Sequence, residues 1–373
     1  MGSSSIERAA SGRSAYLDAA RGVAALSVFV YHLFALNIIP RPAGRLFSVP
    51  EVGALGVELF FVLSGYFITT AILRPEHWDP VEFWRARVSR IYPAYLASMV
   101  LILTGKLVLT DFHFDLVQIC VVLLHLVMLH NFIPGVGGAI DGTYWTMGVE
   151  FPYYFIMLAL APFLRARRNF LIITLLMVMI TLLWRASIHI LFSDRDAGLL
   201  WFANSQIVGF LDMFAFGGLV SYLRKNYLIP RKIIKYNLIL FLISFASLAI
   251  LLNYYISHSG DYWVHWQTSM LFKSALAANF ALIVFFLTFM EPNRWLRWSA
   301  LPWFGRISFS FYLYHFPFIA LAQGMIPDAP WPAKFIFITV VTTAVSWISW
   351  RFVEIRFHRF MPQTDGGYRP AMS

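Results

Sequence analysis

The chain alternates between long apolar runs and short polar connections over most of its length. Each run is close to or longer than the roughly 18–20 residues that a helix needs to cross the hydrocarbon core of a bilayer. The pattern therefore predicts an all-α, polytopic membrane helix bundle of about ten transmembrane helices. The predicted spans are 15–38, 52–73, 91–109, 147–164, 169–187, 201–223, 233–255, 272–290, 307–326 and 333–354.

A further apolar stretch, 116–130, is shorter than these spans and contains His125 and His130. Cytoplasmic loops of membrane proteins carry an excess of Lys and Arg, so the basic clusters decide whether this stretch crosses. They all fall on one side only if 116–130 does not cross. The clusters are Arg85 with Arg87 and Arg90, Arg165 with Arg167 and Arg168, Arg224 to Lys235, and Arg294 with Arg297 and Arg306. We therefore expect a re-entrant or interfacial segment at 116–130 and both termini in the cytoplasm.

This topology divides the chain into three parts. A polar N-terminal tail at 1–14 leads into the first span without a convincing signal-peptidase site, so we expect that span to be retained. A single transmembrane domain occupies 15–356, and a C-terminal tail follows at 357–373. No internal repeat subdivides the domain.

The composition agrees with a membrane protein and excludes several classes of site. Apolar residues form 59% of the chain and charged residues 13%, which no ordinary soluble domain shows. The net charge of +10 would suit nucleic acid, but the Lys and Arg residues lie in short clusters between spans, so we expect no such partner. Cys120 is the single cysteine, and we expect it to be a buried, inert side chain. No spacing of His or carboxylate residues points to a metal site.

Ionisable residues inside a predicted span are functional candidates, because burying a charge in the bilayer costs roughly 2.5–3.5 kcal/mol on insertion scales. The first span contains Asp18, Arg21 and His32. Arg21 and His32 are eleven residues apart, which places them on one helix face about 16 Å apart along the axis. A lone buried histidine is more often structural than catalytic. Its neighbours therefore decide the interpretation.

Several other polar residues fall at membrane depth. Glu58 in the second span should lie near the level of His32 and could orient its imidazole, while Glu150 begins a later span from the same side. For either carboxylate a structural helix-packing pair is an equally good interpretation. Asp212 is a further intramembrane acid that could face a cavity, and for His315 structural and substrate-contacting roles stay equally open.

Arg85, Arg87 and Arg90 flank the start of the third span, at the depth of Arg21. Arginine binds phosphate through paired hydrogen bonds, so a phosphate-bearing ligand would fit there. The positive-inside rule explains the same arginines without a ligand, and their spacing alone does not distinguish between these two interpretations. Ser64 lies beside a glycine within a span, where small residues let a ligand approach; no nucleophile elbow surrounds it.

Six segments follow one another along the chain, namely YLDAARGVAALSVFVYH, GVELFFVLSGYF, FWRARVSRIYPAY, TYWTMGVEFPYY, FGRISFSFYLYHFPF and RFVEIRFHRF. In this order they resemble the bacterial acyltransferase family 3 of membrane O-acyltransferases. The resemblance covers almost the whole chain. It implies a ten-span protein of the bacterial cytoplasmic membrane that moves an acyl group, most simply acetyl, from cytoplasmic acetyl-CoA or another acyl-CoA to a hydroxyl of a saccharide or glycolipid.

The resemblance also implies roles for matching residues. Arg21 and His32 correspond to an essential pair, for which we expect His32 as general base or transient acyl carrier, assisted by Glu58. We expect Arg21, Arg87, Arg90 and Ser64 to bind the acyl-CoA donor, and Tyr144, Trp145, Glu150 and His315 to bind the acceptor. The alternative from another class is a polysaccharide or lipid-linked-sugar transporter or flippase without acyl chemistry, since buried charges also mark transport paths.

Overall fold

The computed structural model describes residues 3–41, 50–73, 78–110, 112–192, 197–226, 236–259, 262, 265–290, 296 and 299–359. Within these ranges the chain is helical and has no strand. The helices are α1 (Ser3–Ala35), α2 (Gly56–Leu73), α3 (Pro80–Leu109), α4 (Leu116–Leu126), α5 (Met147–Leu164), α6 (Arg167–Phe192), α7 (Ala197–Asn204), α8 (Leu211–Asn226), α9 (Asn237–His258), α10 (Lys273–Leu287), α11 (Leu301–Met325), α12 (Trp331–Ser349) and α13 (Ile355–Arg359). The predicted C-terminal tail from 360 onward lies outside the described residues.

Nine helices of the described part, some extended by an adjoining 3₁₀ or π turn, are long and apolar enough to cross a bilayer. They are α1, α2, α3, α5, α6, α8, α9, α10 and α12. Helix α11 has 25 residues, which is also enough for a span at 1.5 Å per residue, but its serine, tyrosine and histidine side chains lower its hydropathy. The predicted all-α polytopic bundle of about ten helices is confirmed.

The segment near 116–130 contains the short helix α4 of 11 residues, about 16 Å long and too short to cross. The side chain of Asp115 caps its start by accepting a hydrogen bond from the Gln118 backbone N–H at 2.7 Å. The backbone turns away after the helix at Met128, where φ is +56°. The predicted short segment is confirmed. Cys120 is exposed on this helix, so the expectation that it is buried is wrong.

Helix α3 begins three turns earlier than predicted. Asp79 caps it, since its carboxylate accepts hydrogen bonds from Val81 N at 2.8 Å and Glu82 N at 3.3 Å, and Pro80 occupies the first turn. Arg87 and Arg90 are therefore held on a helix instead of in a loop. A helix spaces these two side chains at i and i+3, so they share a face.

The sixth predicted span is also interrupted. Its first residues form the separate helix α7, and the span starts again at Ile207 through a 3₁₀ turn. Between them Gln206 is extended, and its amide donates hydrogen bonds to the backbone oxygens of Asn131 (2.8 Å) and Phe202 (3.0 Å). The bond to Phe202 satisfies a carbonyl at the end of α7, and the bond to Asn131 ties the break to the loop before α5. Trp201 consequently lies on a short helix outside the span.

Small residues set the helix spacing around α1. A Cβ atom added at Gly305 of α11 would lie 1.8 Å from the backbone oxygen of Asp18, and one at Gly22 would lie 3.0 Å from Leu301 O. Close backbone approach through such residues is a common way for membrane helices to associate. Because the first turns of α11 are in backbone contact with the middle of α1, the side chains of the two helices meet further along the same interface.

A buried ion pair joins α6 and α8. The guanidinium of Arg185 contacts the carboxylate of Asp212 at 3.0 and 3.1 Å and also donates to Gly209 O and to Ser274 Oγ. Both side chains are almost fully buried. The sequence predicts Asp212 as an intramembrane acid that could face a cavity. In the structure its carboxylate instead pairs with Arg185, which was not among the predicted site residues.

Candidate active site

Two imidazoles meet at the interface of α1 and α11. Nδ1 of His32 lies 2.8 Å from Nε2 of His315, and the ring centroids are 5.0 Å apart. His315 is fully buried, whereas His32 is partly exposed. The exposed member of the pair is therefore the one that a substrate can reach.

Backbone contacts of His315 fix which nitrogens carry protons. Its Nδ1 lies 2.9 Å from the carbonyl oxygen of Tyr312 and 3.3 Å from that of Phe311, so we assign a proton to Nδ1. In the neutral ring Nε2 then has the lone pair and accepts a hydrogen bond from Nδ1–H of His32. This assignment leaves the lone pair of neutral His32 on Nε2. That atom is available as a base or nucleophile.

Aromatic rings surround the pair. The Phe316 ring lies edge-on to His32 at 5.2 Å, Tyr31 lies at 5.0 Å, and the Phe29 ring contacts His315 at 6.0 Å. The pair therefore lies in a largely aromatic environment.

Glu58 does not make the contact predicted for it. Its carboxylate forms an ion pair with Lys273 of α10 at 3.2 Å, and the hydrogen-bond partner of His32 is His315. The physical reason is that Glu58, in the first turn of α2, faces α10, whereas the helix that packs directly on α1 is α11. Lys273 also lies over the Phe210 ring at 5.2 Å. Sequence analysis missed Lys273, although a lysine next to an apolar run was a usable signal.

A cavity bounded by α1, α2, α3, α5 and α11 has a volume of about 700 Å³, which includes the open space at its mouth. Five of the site residues predicted from sequence line it, namely Arg21, Ser64, Arg87, Arg90 and Glu150. The remaining wall is mostly apolar and aromatic. The cavity therefore brings together arginines from two helices that are far apart in sequence.

The polar atoms of this cavity are only partly hydrogen-bonded to one another. Glu150 accepts hydrogen bonds from Ser64 Oγ and from the Tyr154 hydroxyl, both at 2.7 Å. The buried Nε of Arg87 has no hydrogen-bond partner among the described residues. Glu354, which accepts a hydrogen bond from Ser310 at 2.5 Å, interacts electrostatically with Arg90 and Arg21. An unpartnered buried donor beside two more arginines is a suitable place for an anion.

Glu354 lies in the π turn after α12 and was not among the predicted site residues. The signal was a carboxylate between Phe352 and Arg356 near the end of the last span. Its electrostatic contact with Arg21 joins the last span to the first.

Tyr312 connects the cavity to the histidine pair. Its side chain lines the cavity, and its ring centroid lies 5.7 Å from that of His315. Phe60 also lines the cavity and contacts the Tyr312 ring at 5.8 Å. Arg21 and His32 are eleven residues apart on the continuous helix α1, so the arginine end and the imidazole end are about 16 Å apart.

The aromatic block before α5 lies outside this cavity. Tyr144 is fully buried, its hydroxyl is 2.6 Å from Ser98 Oγ, and its ring packs against Tyr95. Such a side chain is not placed to touch an acceptor, which corrects the prediction for Tyr144. The Trp145 ring instead contacts Trp201 at 5.8 Å. The acceptor role of Trp145 stays a prediction.

The loop segment outside the spans holds a second pair of histidines. The His125 and His130 rings stack in parallel at 4.2 Å. Burial, with a contribution from neighbouring His130, lowers the pKa of His125 to about 4, and burial also lowers the pKa of His130. Burial raises the pKa of Asp141 to about 6, partly offset by the hydrogen bonds from Thr143. Among the described residues no group of three or more metal-binding side chains occurs.

Comparison with known proteins places this site in a family context. The chain is 23% identical to O-acetyltransferase OatA of Staphylococcus aureus strain NCTC 8325, over 94% of its own length and 59% of that protein. It is 24% identical to OatA of strain MRSA252, over 91% of this chain and 56% of the relative. The chain thus spans less than two thirds of the curated relatives that it matches. No solved structure matches it.

The family comparison covers nearly all of the chain. A family model described as an acyltransferase domain matches residues 14–351, from the start of the first span to the last one, and includes every predicted site residue. The resemblance expected from the sequence motifs is therefore confirmed, and the chain belongs to this acyltransferase family.

Proposed function

We propose that this protein is a membrane O-acyltransferase, most simply an O-acetyltransferase, that moves an acyl group from acyl-CoA to a hydroxyl of a saccharide or glycolipid. Family membership and the named O-acetyltransferase relatives support the reaction class. The single observation that carries the residue assignment is the hydrogen bond from His32 to His315, at the end of α1 opposite the arginine-lined cavity.

The donor side of the proposal rests on charge. CoA carries phosphate groups, and Arg21, Arg87 and Arg90 supply guanidinium donors in one cavity. The basic clusters of the sequence support a cytoplasmic position for this end of the helices. The pantetheine arm then extends past Tyr312 toward His32, over the roughly 16 Å that separate the ends of the path. We assign the protein to the bacterial cytoplasmic membrane with both termini inside.

The transfer step uses the free Nε2 of His32. The lone pair takes the proton of the acceptor hydroxyl while the hydroxyl oxygen forms a bond to the thioester carbonyl carbon. The carbon–sulfur bond then breaks, and the CoA thiolate takes the proton back from His32. His315 keeps the reactive nitrogen facing the substrate by accepting Nδ1–H throughout. His315 is therefore a positioning residue in this proposal, not an acceptor-binding one.

A second route has His32 itself accept the acyl group on Nε2 before passing it to the hydroxyl. The geometry allows both routes, because both need the same unprotonated nitrogen. Mass spectrometry of protein incubated with acetyl-CoA alone separates them. An acetyl group on His32 indicates the two-step route, and an unmodified His32 in protein that transfers acetyl once acceptor is added indicates direct transfer.

The test uses detergent-purified full-length protein and labelled acetyl-CoA, with free CoA and labelled acceptor as readouts. His32→Ala should reduce acceptor-dependent CoA release at least about 100-fold, as expected for loss of a general base. His113→Ala, which removes an exposed loop histidine, is the matched control and should leave the rate unchanged. Near-normal turnover by His32→Ala would refute the assignment, and a wild type without CoA release would favour the transporter alternative.

A further inference from the structure

A second cavity lies between the loop that precedes α5 and the end of α7. It opens to the surface and has a volume of about 740 Å³, which includes the open space at its mouth. One wall is a glycine-rich backbone, Gly135 to Gly142, and the other wall is formed by Trp201, Phe202, Ser205 and Gln206. None of the residues that sequence analysis assigned to donor or acceptor lines this space. Positive-inside topology places it on the outer side of the membrane.

The glycine-rich wall is fixed in place by neighbouring side chains. Lys106 of α3 donates hydrogen bonds to the backbone oxygens of Ala139 (3.2 Å) and Ile140 (2.9 Å). Asp141 accepts hydrogen bonds from the backbone N–H and hydroxyl of Thr143, at 2.8 and 2.5 Å. The loop is thus a built surface whose shape does not depend on a bound ligand.

The lining of this second cavity combines apolar and polar groups and carries no charge. No Lys, Arg, Asp or Glu is among its lining residues. Trp201 is 46% exposed and offers an aromatic face. Asn131 is buried, and its Oδ1 has no hydrogen-bond partner among the described residues. An aromatic face beside uncharged hydrogen-bonding groups suits a neutral sugar ring, which presents C–H groups on its faces and hydroxyls at its edges.

A short contact path joins this cavity to the histidine pair. Gly142 lines the cavity, and a Cβ atom added there would lie only 2.6 Å from the Phe316 ring. The Phe316 ring in turn lies edge-on to His32 at 5.2 Å. Phe316 thus lies next to both the wall of this cavity and the imidazole of His32.

We propose that the second cavity is the acceptor subsite and binds a neutral sugar residue against Trp201, with the reacting hydroxyl directed past Phe316 toward His32. This inference rests on the proposed acyl transfer and adds the location and chemical class of the acceptor. Donor and acceptor then approach His32 from two separate cavities, one lined by arginines and one without charge.

The first test measures acetyl transfer at varied concentrations of a solubilised surface-glycan fraction from the source organism. Trp201→Ala should raise the half-saturating glycan concentration about tenfold while leaving the KM for acetyl-CoA unchanged. Trp201→Phe, which keeps an aromatic face, should recover most of the affinity. Trp331→Ala removes an equally exposed tryptophan elsewhere and should behave as wild type. Unchanged glycan dependence in Trp201→Ala would overturn the proposal.

The second test blocks the cavity by adding a group at a glycine of its wall instead of removing an existing side chain. In a Cys120→Ser background, Gly138→Cys is tolerated because the added Cβ meets its nearest atom at 3.5 Å. Reaction with an anionic methanethiosulfonate should then slow transfer at least tenfold and leave acetyl-CoA binding unchanged. Gly324→Cys, at an open position on α11, is the control and should be insensitive.

The outcomes separate the two proposals. Full transfer after complete modification at position 138 would refute the proposed acceptor subsite. CoA release by the wild type without acylation of the glycan would refute it as well. If the wild type released no CoA, the result would instead contradict acyl transfer itself, and the acceptor subsite would be refuted as well.

Discussion

At the scale of single residues, His315 sets the tautomer of His32. A backbone oxygen three positions earlier in the same helix in turn sets the tautomer of His315. Tyr312 O holds Nδ1–H of His315, and His315 Nε2 holds Nδ1–H of His32. Each link uses a group that the helix already supplies, so no carboxylate is needed. The arrangement differs from a Ser-His-Asp triad, where a buried carboxylate orients the base.

His315→Phe tests this relay. The ring keeps most of the packing volume but cannot accept a hydrogen bond, so His32 loses its fixed tautomer. We expect kcat to fall about 10- to 100-fold with an unchanged KM for acetyl-CoA. His315→Gln, whose amide oxygen can accept Nδ1–H, should recover part of the rate.

A purely structural role for His315 predicts a different result. In that case His315→Phe would lower the thermal stability without changing the pH–rate profile of the remaining activity. Our proposal predicts that the apparent pKa on the acid side of the profile moves, because the hydrogen-bond partner of the base has changed. An unaltered profile would show that the relay does not act on His32.

The arginines give the second residue-scale prediction. Arg87→Ala and Arg90→Ala should each raise the KM for acetyl-CoA about tenfold or more, because a charge-assisted hydrogen bond to phosphate is lost. The kcat should change little, since neither side chain reaches the histidine pair. Arg168→Ala, an exposed arginine outside the cavity, is the control. Steady-state kinetics at two salt concentrations suffices, and an equal loss in the control would indicate nonspecific charge effects.

Individual candidate residues could be singled out from the sequence, but their contacts could not. Arg21, His32 and His315 stood out, because charge and imidazole are expensive at membrane depth. The bond between His32 and His315 was not predicted, since residues 283 positions apart meet only through helix packing. Glu58 was assigned to His32 by depth alone, and depth says nothing about which neighbouring helix a side chain faces.

At the scale of elements, hydropathy predicted the approximate number of helices but not the residues at which they begin and end. The early start of α3 came from Asp79 and Pro80, a cap signal in a charged stretch that hydropathy ignores. The break before Ile207 depends on Gln206 bonding to Asn131, a residue 75 positions away. Such long-range hydrogen bonds are invisible to a local pattern.

The segment from α4 to Asp141 should be sensitive to acid. Opening it lets His125 and His130 regain ordinary pKa values near 6.5, so the open state binds more protons below that pH and acid favours opening. Asp141 has the opposite effect between about pH 6 and pH 4, because its raised pKa makes the closed state bind the proton. With two histidines against one carboxylate, we expect net loosening as the pH falls from 7 to 5.

Hydrogen–deuterium exchange, corrected for intrinsic rates, measures this opening directly. Peptides covering 116–143 should exchange faster at pH 5 than at pH 7. In His125→Gln with His130→Gln the dependence should vanish or reverse, since only Asp141 remains. If the variant kept the wild-type dependence, these histidines would not be its source.

At the scale of the whole molecule, polar contacts at membrane depth hold separate helices at defined positions. The Arg185–Asp212 pair joins α6, α8 and α10, and the Lys273–Glu58 pair joins α10 to α2. Neither Arg185 nor Asp212 lines the two cavities. We therefore assign this pair to the scaffold and the arginines of α1 and α3 to the donor.

A double-substitution cycle tests that division. Arg185→Met or Asp212→Leu alone leaves one buried charge without a partner, which should destabilise the protein by about 3–5 kcal/mol. The double variant removes both charges and should recover most of that loss, because a paired buried charge contributes little net stability. The thermal midpoint in detergent is the measurement. Acetyl transfer by the folded double variant should stay near wild type, since both substrate paths are intact; a folded but inactive double variant would place this pair in the catalytic machinery.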